Sequence, residues 1–345
     1  MHISRRRDII FLKGETADMC TAITYSAKSF YFGRNLDLEY SYHETVTFVP
    51  RNFPLPFKRL PTLGHHHAII GMAYVQDNYP LFYDAVNEKG LCMAGLNFPD
   101  NAHYYPERED CDNVAPFELI PYLLSSCATL AEARKALSRI NLADIHFTED
   151  LSLTPLHWIL SDKTGSIVLE PLKDGLRIHE NPVGVLTNNP PFDMQMTMLC
   201  DYMALRPEAP QNTWGKNLPL SPYSRGMGAL GLPGDWSSPS RFARAAFVKC
   251  NCPQGETEEK SVVEFFHILG SVAMPRGSIV HNGKHEITVY SCCCNADSGV
   301  YYYTTYQNSR ICAVDMKAED AEGTQLVCYD LIQDAQIYMQ NNGRL

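Results

Sequence analysis

Strand-forming segments lie near both ends of this chain and helix-forming segments lie between them, and this order constrains the fold most. Residues 20–25 and 30–34 are rich in Thr, Ile, Tyr and Phe and flank a polar turn, so they predict a hairpin. Late in the chain, residues 286–293 and 300–306 are equally β-favouring. Strands, then helices, then strands predict a layered α+β fold rather than an alternating βαβ fold.

The middle of the chain contains two predicted helices. Thr129-Leu-Ala-Glu132 matches a capping box and begins the first one. Its apolar face is expected to carry Leu130, Ala133, Leu137 and Ile140. The second is expected over residues 257–269, with Gly270 as its stop. Further strand signals lie at 68–70 and 91–96, and a hairpin is predicted from 157–160 and 166–169.

Composition excludes several classes of protein. The net charge of −10 argues against a nucleic-acid surface. The sequence contains no run of 18 or more apolar residues, so no membrane span is predicted. The chain has twelve cysteines, too few for a disulfide framework at a length of 345 residues, and several lie in apolar runs. We therefore expect reduced core cysteines and a cytoplasmic protein, with no repeat or linker dividing residues 20–345.

A methionine directly precedes a cysteine at positions 19 and 20. Residues 1–19 carry three consecutive arginines but lack the apolar segment of a secretory signal. We interpret them as a leader, a propeptide or a mis-called start, with an ordinary extra strand or tail as the alternative. If the chain were cut or started at Met19, Cys20 would carry a free α-amine.

Such a cysteine supplies both a nucleophile and a base. The thiol attacks, and the amine, with an ordinary pKa of about 7.7–8.0, accepts the proton. Arg34 and Asp37 follow within the same hairpin. The arginine can favour the thiolate, and the aspartate can hold the amine. The alternatives are a buried core cysteine and ordinary surface ion pairs.

An oxyanion site requires neutral donors, and two asparagines are candidates. Asn97 and Asn188 each follow a buried-looking strand. Asparagines at strand ends are more commonly turn residues, so both interpretations stay open at this point.

Other patterns are weaker. Gly226-Met-Gly228-Ala-Leu-Gly231 lacks the strand and the helix that a dinucleotide site needs. His65-His66-His67, and His281 and His285 with Cys292-Cys293-Cys294, fit no standard metal spacing. We therefore expect no metal and no cofactor. From about residue 192 to 234 the pattern dissolves, which indicates a functional loop or an assembly element.

Several blocks, agreeing in order and spacing, resemble the choloylglycine hydrolases, the bile salt hydrolases of the N-terminal nucleophile (Ntn) class, with penicillin V acylases as siblings. The blocks are Met19-Cys20-Thr21, residues 32–41, residues 84–91, residues 93–99, Leu186-Thr187-Asn188-Asn189-Pro190, Leu232-Pro233-Gly234-Asp235 and Ser240-Arg241-Phe242. The resemblance implies a four-layer αββα sandwich and cleavage of the amide between a bile acid and glycine or taurine.

The resemblance also implies roles for single residues. Cys20 matches the nucleophile, Arg34 and Asp37 the pair that supports it, and Arg241, rather than the nearby Arg244, the arginine beside it. Asn97 and Asn188 match the oxyanion region, and Asn97 favours bile salts over penicillins. The segment 192–231 resembles a protruding assembly element, which implies a homotetramer. We further expect Phe57, Phe82 and Phe98 to pack the steroid.

Three other functions remain open on the sequence. The same chemistry can act on another acyl group, as in a penicillin V acylase or an acyl homoserine lactone hydrolase. A chain whose Cys20 amine stays blocked can only bind bile acids. The cysteine-rich last third could belong to a redox or zinc protein.

Overall fold

The computed structural model describes residues 19–149 and 151–342, so most of the predicted leader, residues 1–18, lies outside the described residues. The strands in chain order are β1 (Met19–Ser26), β2 (Phe30–Leu38), β3 (Thr45–Val49), β4 (Ile69–Gln76), β5 (Tyr79–Asn87), β6 (Cys92–Asn97), β7 (Asp112–Val114), β8 (Ile140–Leu142), β9 (Leu156–Asp162), β10 (Gly165–Leu172), β11 (Gly175–Glu180), β12 (Val185–Leu186), β13 (Val280–His281), β14 (Lys284–His285), β15 (Ile287–Asn295), β16 (Val300–Thr305), β17 (Cys312–Asp315) and β18 (Val327–Asp330). The helices are α1 (Leu119–Ser126), α2 (Leu130–Leu137), α3 (Phe192–Leu199), α4 (Ser238–Asn251) and α5 (Glu258–Gly270).

Two large antiparallel sheets form the centre of the protein. The six-stranded sheet has the order β12-β1-β2-β15-β16-β17, and the eight-stranded sheet has the order β11-β10-β9-β6-β5-β4-β3-β18. Helices α4 and α5 contact the first sheet, α1 and α2 contact the second, and β1 and β2 contact β6 across the interior. The predicted αββα sandwich is therefore confirmed.

The buried apolar side chains form two main clusters. The first cluster fills the space between the sheets and under α4 and α5, and it contains Cys20, Phe32 and Phe265. The second cluster lies between the eight-stranded sheet and α1 and α2, and it contains Trp158 and Leu123. Strand β2 is buried along its whole length because both of its faces are covered.

The predicted hairpins are confirmed. Strands β1 and β2 pair in the register that places Cys20 opposite Leu36 and Ala22 opposite Arg34. Strands β9 and β10 form the second predicted hairpin, and β15 pairs with β16.

The helices agree with the sequence only in part. Helix α2 begins at its predicted cap, where Thr129 Oγ1 accepts the Glu132 N–H at 3.2 Å, but the Glu132 carboxylate accepts from Ala128 N–H rather than from Thr129 N–H. Ile140 lies in β8, so its predicted place on the helix was wrong. The second predicted helix is α5, although Gly270 is its last residue rather than the stop after it. Helices α1, α3 and α4 were not predicted.

The segment 192–231 begins as a helix rather than a loop. Helix α3 follows two prolines and buries Phe192 and Gln195. Beyond it, most of the segment is exposed, including Trp214 at 83% and Tyr223 at 84% of their surface.

Candidate active site

Cys20 lies on β1 with 2% of its surface exposed, and polar groups hold its backbone on both sides. Its N–H donates to Asn188 Oδ1 at 2.9 Å, and its carbonyl oxygen accepts from Arg241 Nη1 at 2.5 Å. Met19 precedes it in the same strand, so this nitrogen is a peptide nitrogen here. The position of Cys20 is therefore fixed by hydrogen bonds to its main chain as well as by its side-chain packing.

Arg241, in the first turn of α4, makes further hydrogen bonds around Cys20. Nη1 also donates to Thr21 Oγ1 at 2.7 Å, Nη2 donates to Asn188 Oδ1 at 2.7 Å, and Nε donates to Trp236 O at 3.0 Å. Burial lowers the pKa of Arg241, and the negative charge of Asp37 opposes this shift. The guanidinium thus joins β1 to the loop that carries Asn188.

Arg244, one turn later on α4, lies elsewhere. Its guanidinium donates to the carbonyl oxygens of Ser271, Pro233 and Asp235 at 2.6–3.0 Å. It therefore holds loops together, whereas Arg241 is the arginine of this pair that contacts the Cys20 backbone.

Arg34 and Asp37 lie on opposite faces of β2. Arg34 is fully buried and points between the sheets, where Nη1 donates to Gly95 O at 2.5 Å and Tyr83 O at 3.1 Å. Burial lowers its pKa, but the acidic groups of Cys20, Tyr290 and Asp84 outweigh this effect and raise the pKa overall. Arg34 is therefore a permanent positive charge near the thiol.

Asp37 lies on the face towards α4. Its Oδ1 accepts from Thr288 Oγ1 at 2.5 Å, and in the hairpin register it stands opposite Met19. Burial raises its pKa to about 6, although Arg241, Thr288 and Arg34 all oppose the rise. The carboxyl group is thus beside the residue that precedes Cys20.

The two asparagines contact each other. Asn188 Nδ2 donates to Asn97 O at 2.8 Å, and Asn188 N–H donates to Ser238 Oγ at 2.8 Å. Asn97 is the last residue of β6, which faces β1 across the interior. The structure therefore brings Cys20, Asn188, Arg241 and Asn97 together from β1, the loop after β12, α4 and β6.

Two of the three phenylalanines expected to pack a steroid lie away from Cys20. Phe57 meets Tyr122 edge-on at 5.8 Å between ring centroids, and both Phe57 and Phe82 pack against the second cluster, across the eight-stranded sheet from Cys20. Phe98 is fully buried. Strand alternation directs Phe82 to the helix side, whereas Tyr83 packs against the first cluster.

Several residues around Cys20 were not recognised from the sequence. Thr21 and Ser238 hold Arg241 and Asn188, and Gln195 Nε2 donates to Asn188 O at 2.6 Å. The sequence blocks around Cys20, Asn188 and Arg241 pointed to this region, but small hydroxyl side chains such as that of Ser238 leave no distinctive sequence signal of their own.

The candidate metal ligands are dispersed. Within residues 19–149 and 151–342, no three His, Cys, Asp or Glu side chains meet in a way that could hold a metal ion. His66 Nε2 faces Phe53 O and His65 Nδ1 faces Asn52 Oδ1, so neighbours in the triple-histidine run point to different partners. No helix in the described part of the chain is both long enough and apolar enough to cross a membrane.

Comparisons with known proteins place this geometry in a family. The family model of linear amide C–N hydrolases of the choloylglycine hydrolase family matches residues 20–329. The bile salt hydrolase/transferase of Lactiplantibacillus plantarum is 52% identical over 324 residues, which cover 94% of this chain and all of that protein.

Solved structures agree in fold. A mutant of the conjugated bile acid hydrolase from Clostridium perfringens superposes with a TM-score of 0.86 at 36% identity, covering 93% of this chain and 99% of that one. Penicillin V acylase from Agrobacterium tumefaciens shares the fold, with a TM-score of 0.71 at 19% identity over 90% of this chain and 91% of that one. The chain thus belongs to the choloylglycine hydrolase family and is a linear amide C–N hydrolase.

Proposed function

We propose that this enzyme hydrolyses the amide bond between a bile acid and glycine or taurine, with Cys20 as an N-terminal nucleophile. The observation that carries the proposal is the pair of hydrogen bonds to the Cys20 backbone. Asn188 Oδ1 accepts from the Cys20 nitrogen, and Arg241 Nη1 donates to the Cys20 carbonyl oxygen. The family match begins at Cys20, and the 52% identical relative is named a bile salt hydrolase/transferase.

The reaction requires a free amine on Cys20, which removal of the residues through Met19 would provide. The thiol attacks the substrate carbonyl carbon, and the amine accepts the thiol proton. Asn188 Oδ1 faces this nitrogen, so it orients the amine towards the thiol. The protonated amine then gives its proton to the departing glycine or taurine, and water releases the bile acid from the thioester.

The negative charge of the tetrahedral intermediate needs donors. We assign Asn97, Asn188 and a backbone N–H to this role, because both asparagines lie at the Cys20 end of the interior and contact each other at 2.8 Å. The buried positive charge of Arg34 favours the thiolate, and Asp37 balances the charge of Arg241 behind the strand.

The first test replaces the nucleophile in a protein trimmed to begin at Cys20, with the start verified by intact mass. Cys20→Ala is expected to lower the release of glycine and taurine from glycocholate and taurocholate by about 10³-fold or more, because the nucleophile is removed. Cys328→Ala, at an exposed cysteine on β18, is the matched control and keeps full activity. Hydrolysis retained in Cys20→Ala would refute the proposal.

Substrate class is tested in parallel on phenoxymethylpenicillin and an acyl homoserine lactone. Faster cleavage of either than of both bile salts would replace the bile-salt assignment with that of the sibling enzymes. An untrimmed chain that binds bile salts without cleaving them, with Met19 intact in the only soluble form, would instead support a carrier.

We also propose that the enzyme is a cytoplasmic homotetramer assembled through residues 192–231. All twelve cysteines lie in the described part of the chain and none of them forms a disulfide there, as in a reducing compartment. The segment exposes large apolar side chains, including Met203, Trp214 and Tyr223, and such patches mark interfaces.

A further inference from the structure

His157 is a fully buried histidine of β9 whose ring lies between two chain segments. On one side, Nε2 lies 2.8 Å from Thr187 O. On the other, the ring stacks on Phe98, with centroids 4.2 Å apart and planes 5° apart. A carbonyl oxygen only accepts hydrogen bonds, so Nε2 carries a hydrogen and donates it.

Both segments carry an asparagine of the site. Thr187 directly precedes Asn188, and Phe98 directly follows Asn97. The two asparagines are joined where Asn188 Nδ2 donates to Asn97 O at 2.8 Å. One imidazole therefore touches the neighbour of each asparagine.

Glu170, fully buried on β10, fixes the ring from its other nitrogen. Its Oε1 lies 3.3 Å from His157 Nδ1 and also accepts the N–H of Phe192, the first residue of α3, at 2.9 Å. Its Oε2 faces His179 Nε2 at 3.3 Å. Because a carboxyl group faces Nδ1 and a carbonyl oxygen faces Nε2, the imidazole ring is fixed in one orientation.

We propose that His157 is a positioning residue of the amide hydrolase, and this proposal rests on the proposed function. His157 sets Asn97 and Asn188 at the distance from Cys20 that the oxyanion requires, and Glu170 holds the His157 ring in place. The ring is buried and both of its nitrogens face protein groups, so it neither binds substrate nor exchanges its proton with it. Small displacements of oxyanion donors are costly, since removal of one typically costs about 10²–10³ in rate.

The test uses two substitutions that separate the ring from its donor. His157→Phe keeps an aromatic ring against Phe98 but leaves Thr187 O without its donor. We expect kcat to fall by about 10- to 100-fold with KM within about twofold of the wild type, because the oxyanion exists only in the transition state. His157→Gln places an amide N–H near the Nε2 position and is expected to recover most of the kcat.

His66 supplies the matched control. His66 is likewise a buried histidine. Both of its nitrogens face carbonyl oxygens, Nδ1 at 2.8 Å from His67 O and Nε2 at 2.9 Å from Phe53 O, but it lies beside the second cluster. His66→Phe is expected to lower the melting temperature and to leave kcat unchanged. Equal kcat losses in His66→Phe and His157→Phe, or no loss in His157→Phe, would overturn the inference.

A crystal structure of His157→Phe separates this inference from the bile-salt assignment. We expect Asn188 Oδ1 to move out of hydrogen-bond distance of Cys20 N, whichever amide the enzyme cleaves. An unmoved Asn188 would overturn the positioning role, whereas a wild-type enzyme inactive on bile salts would refute only the proposed substrate. If His157→Phe does not fold, His157→Leu and His157→Gln are compared in the same way.

Discussion

At the scale of single residues, Asp37 is a buried carboxyl group close to Cys20 whose pKa its surroundings raise. Desolvation raises its pKa from 3.8 to about 6 in spite of two nearby arginines. The folded protein therefore holds this proton to a higher pH than the unfolded chain does. The stabilisation from proton binding is complete below pH 4 and is lost as the pH rises through about 6.

Asp37→Asn should remove this pH dependence. The difference in free energy of unfolding, wild type minus variant, is expected to fall by roughly 3 kcal/mol between about pH 4 and pH 7, since one pKa unit corresponds to about 1.4 kcal/mol. Urea unfolding at a series of pH values measures it. Glu88 and Asp235, whose hydrogen-bonded carboxylates have pKa values of about 2, have the opposite slope but cancel in the difference. A constant difference across this range would contradict the prediction.

At the scale of elements, the close approach of β2 and β15 depends on Gly33. A Cβ atom at this position would lie 2.0 Å from Cys292 O on the neighbouring strand. The adjacent Arg34 N–H meets Cys292 Sγ at 3.3 Å, so the same contact sets the strand that carries the buried arginine.

Gly33→Ala is expected to lower the free energy of unfolding by about 3 kcal/mol or more, because two backbones must separate inside a packed core. Chemical denaturation followed by circular dichroism measures the change. Gly64→Ala is the control, since nothing lies within 4 Å of a Cβ there, and its effect should stay within about 0.5 kcal/mol. Equal stabilities of the two variants would show that the strands yield without cost.

The elements that the sequence predicted are those with a local signal. The β1–β2 hairpin and the Thr129 cap are encoded within a few residues, so both were predicted. Helix α1 is apolar almost throughout and contains Pro121, so it shows no polar face from which to recognise it. Helix α4 buries Arg241 and Arg244, whose charges are typical of an exposed surface.

The site follows the same rule. Cys20, Arg34 and Asp37 lie within one hairpin and were predicted from spacing. Asn188 reaches Cys20 from 168 residues away, so its place after a strand left it open as a turn residue, and the family resemblance was needed to favour the site. His157 was not foreseen, because its role depends on the pairing of β6 with β9 and on the loop after β12. Phe82 could not be placed, since the register of β4 and β5 shifts at Met72/Ala73.

At the scale of the whole molecule, the exposed apolar side chains of residues 192–231 carry the proposed assembly. Trp214→Ala with Tyr223→Ala is expected to convert a four-chain species into smaller ones, because about 150–250 Å² of aromatic surface per ring no longer becomes buried. Light scattering after size-exclusion chromatography measures the mass. Ile337→Ala with Tyr338→Ala, at equally exposed positions near the end of the chain, is the control. A wild-type monomer, or an unchanged mass in the first variant, would contradict the prediction.

The pairing of Met19 with Asp37 at the open end of the first hairpin bears on how the enzyme becomes active. Cleavage after Met19 would remove the last rung of the ladder and one hydrogen bond, from Met19 N–H to Glu286 Oε1. Every rung from Cys20 and Leu36 inward would remain. Activation would then only free the Cys20 nitrogen, which is already in position, and the precursor and the working enzyme would have the same backbone conformation.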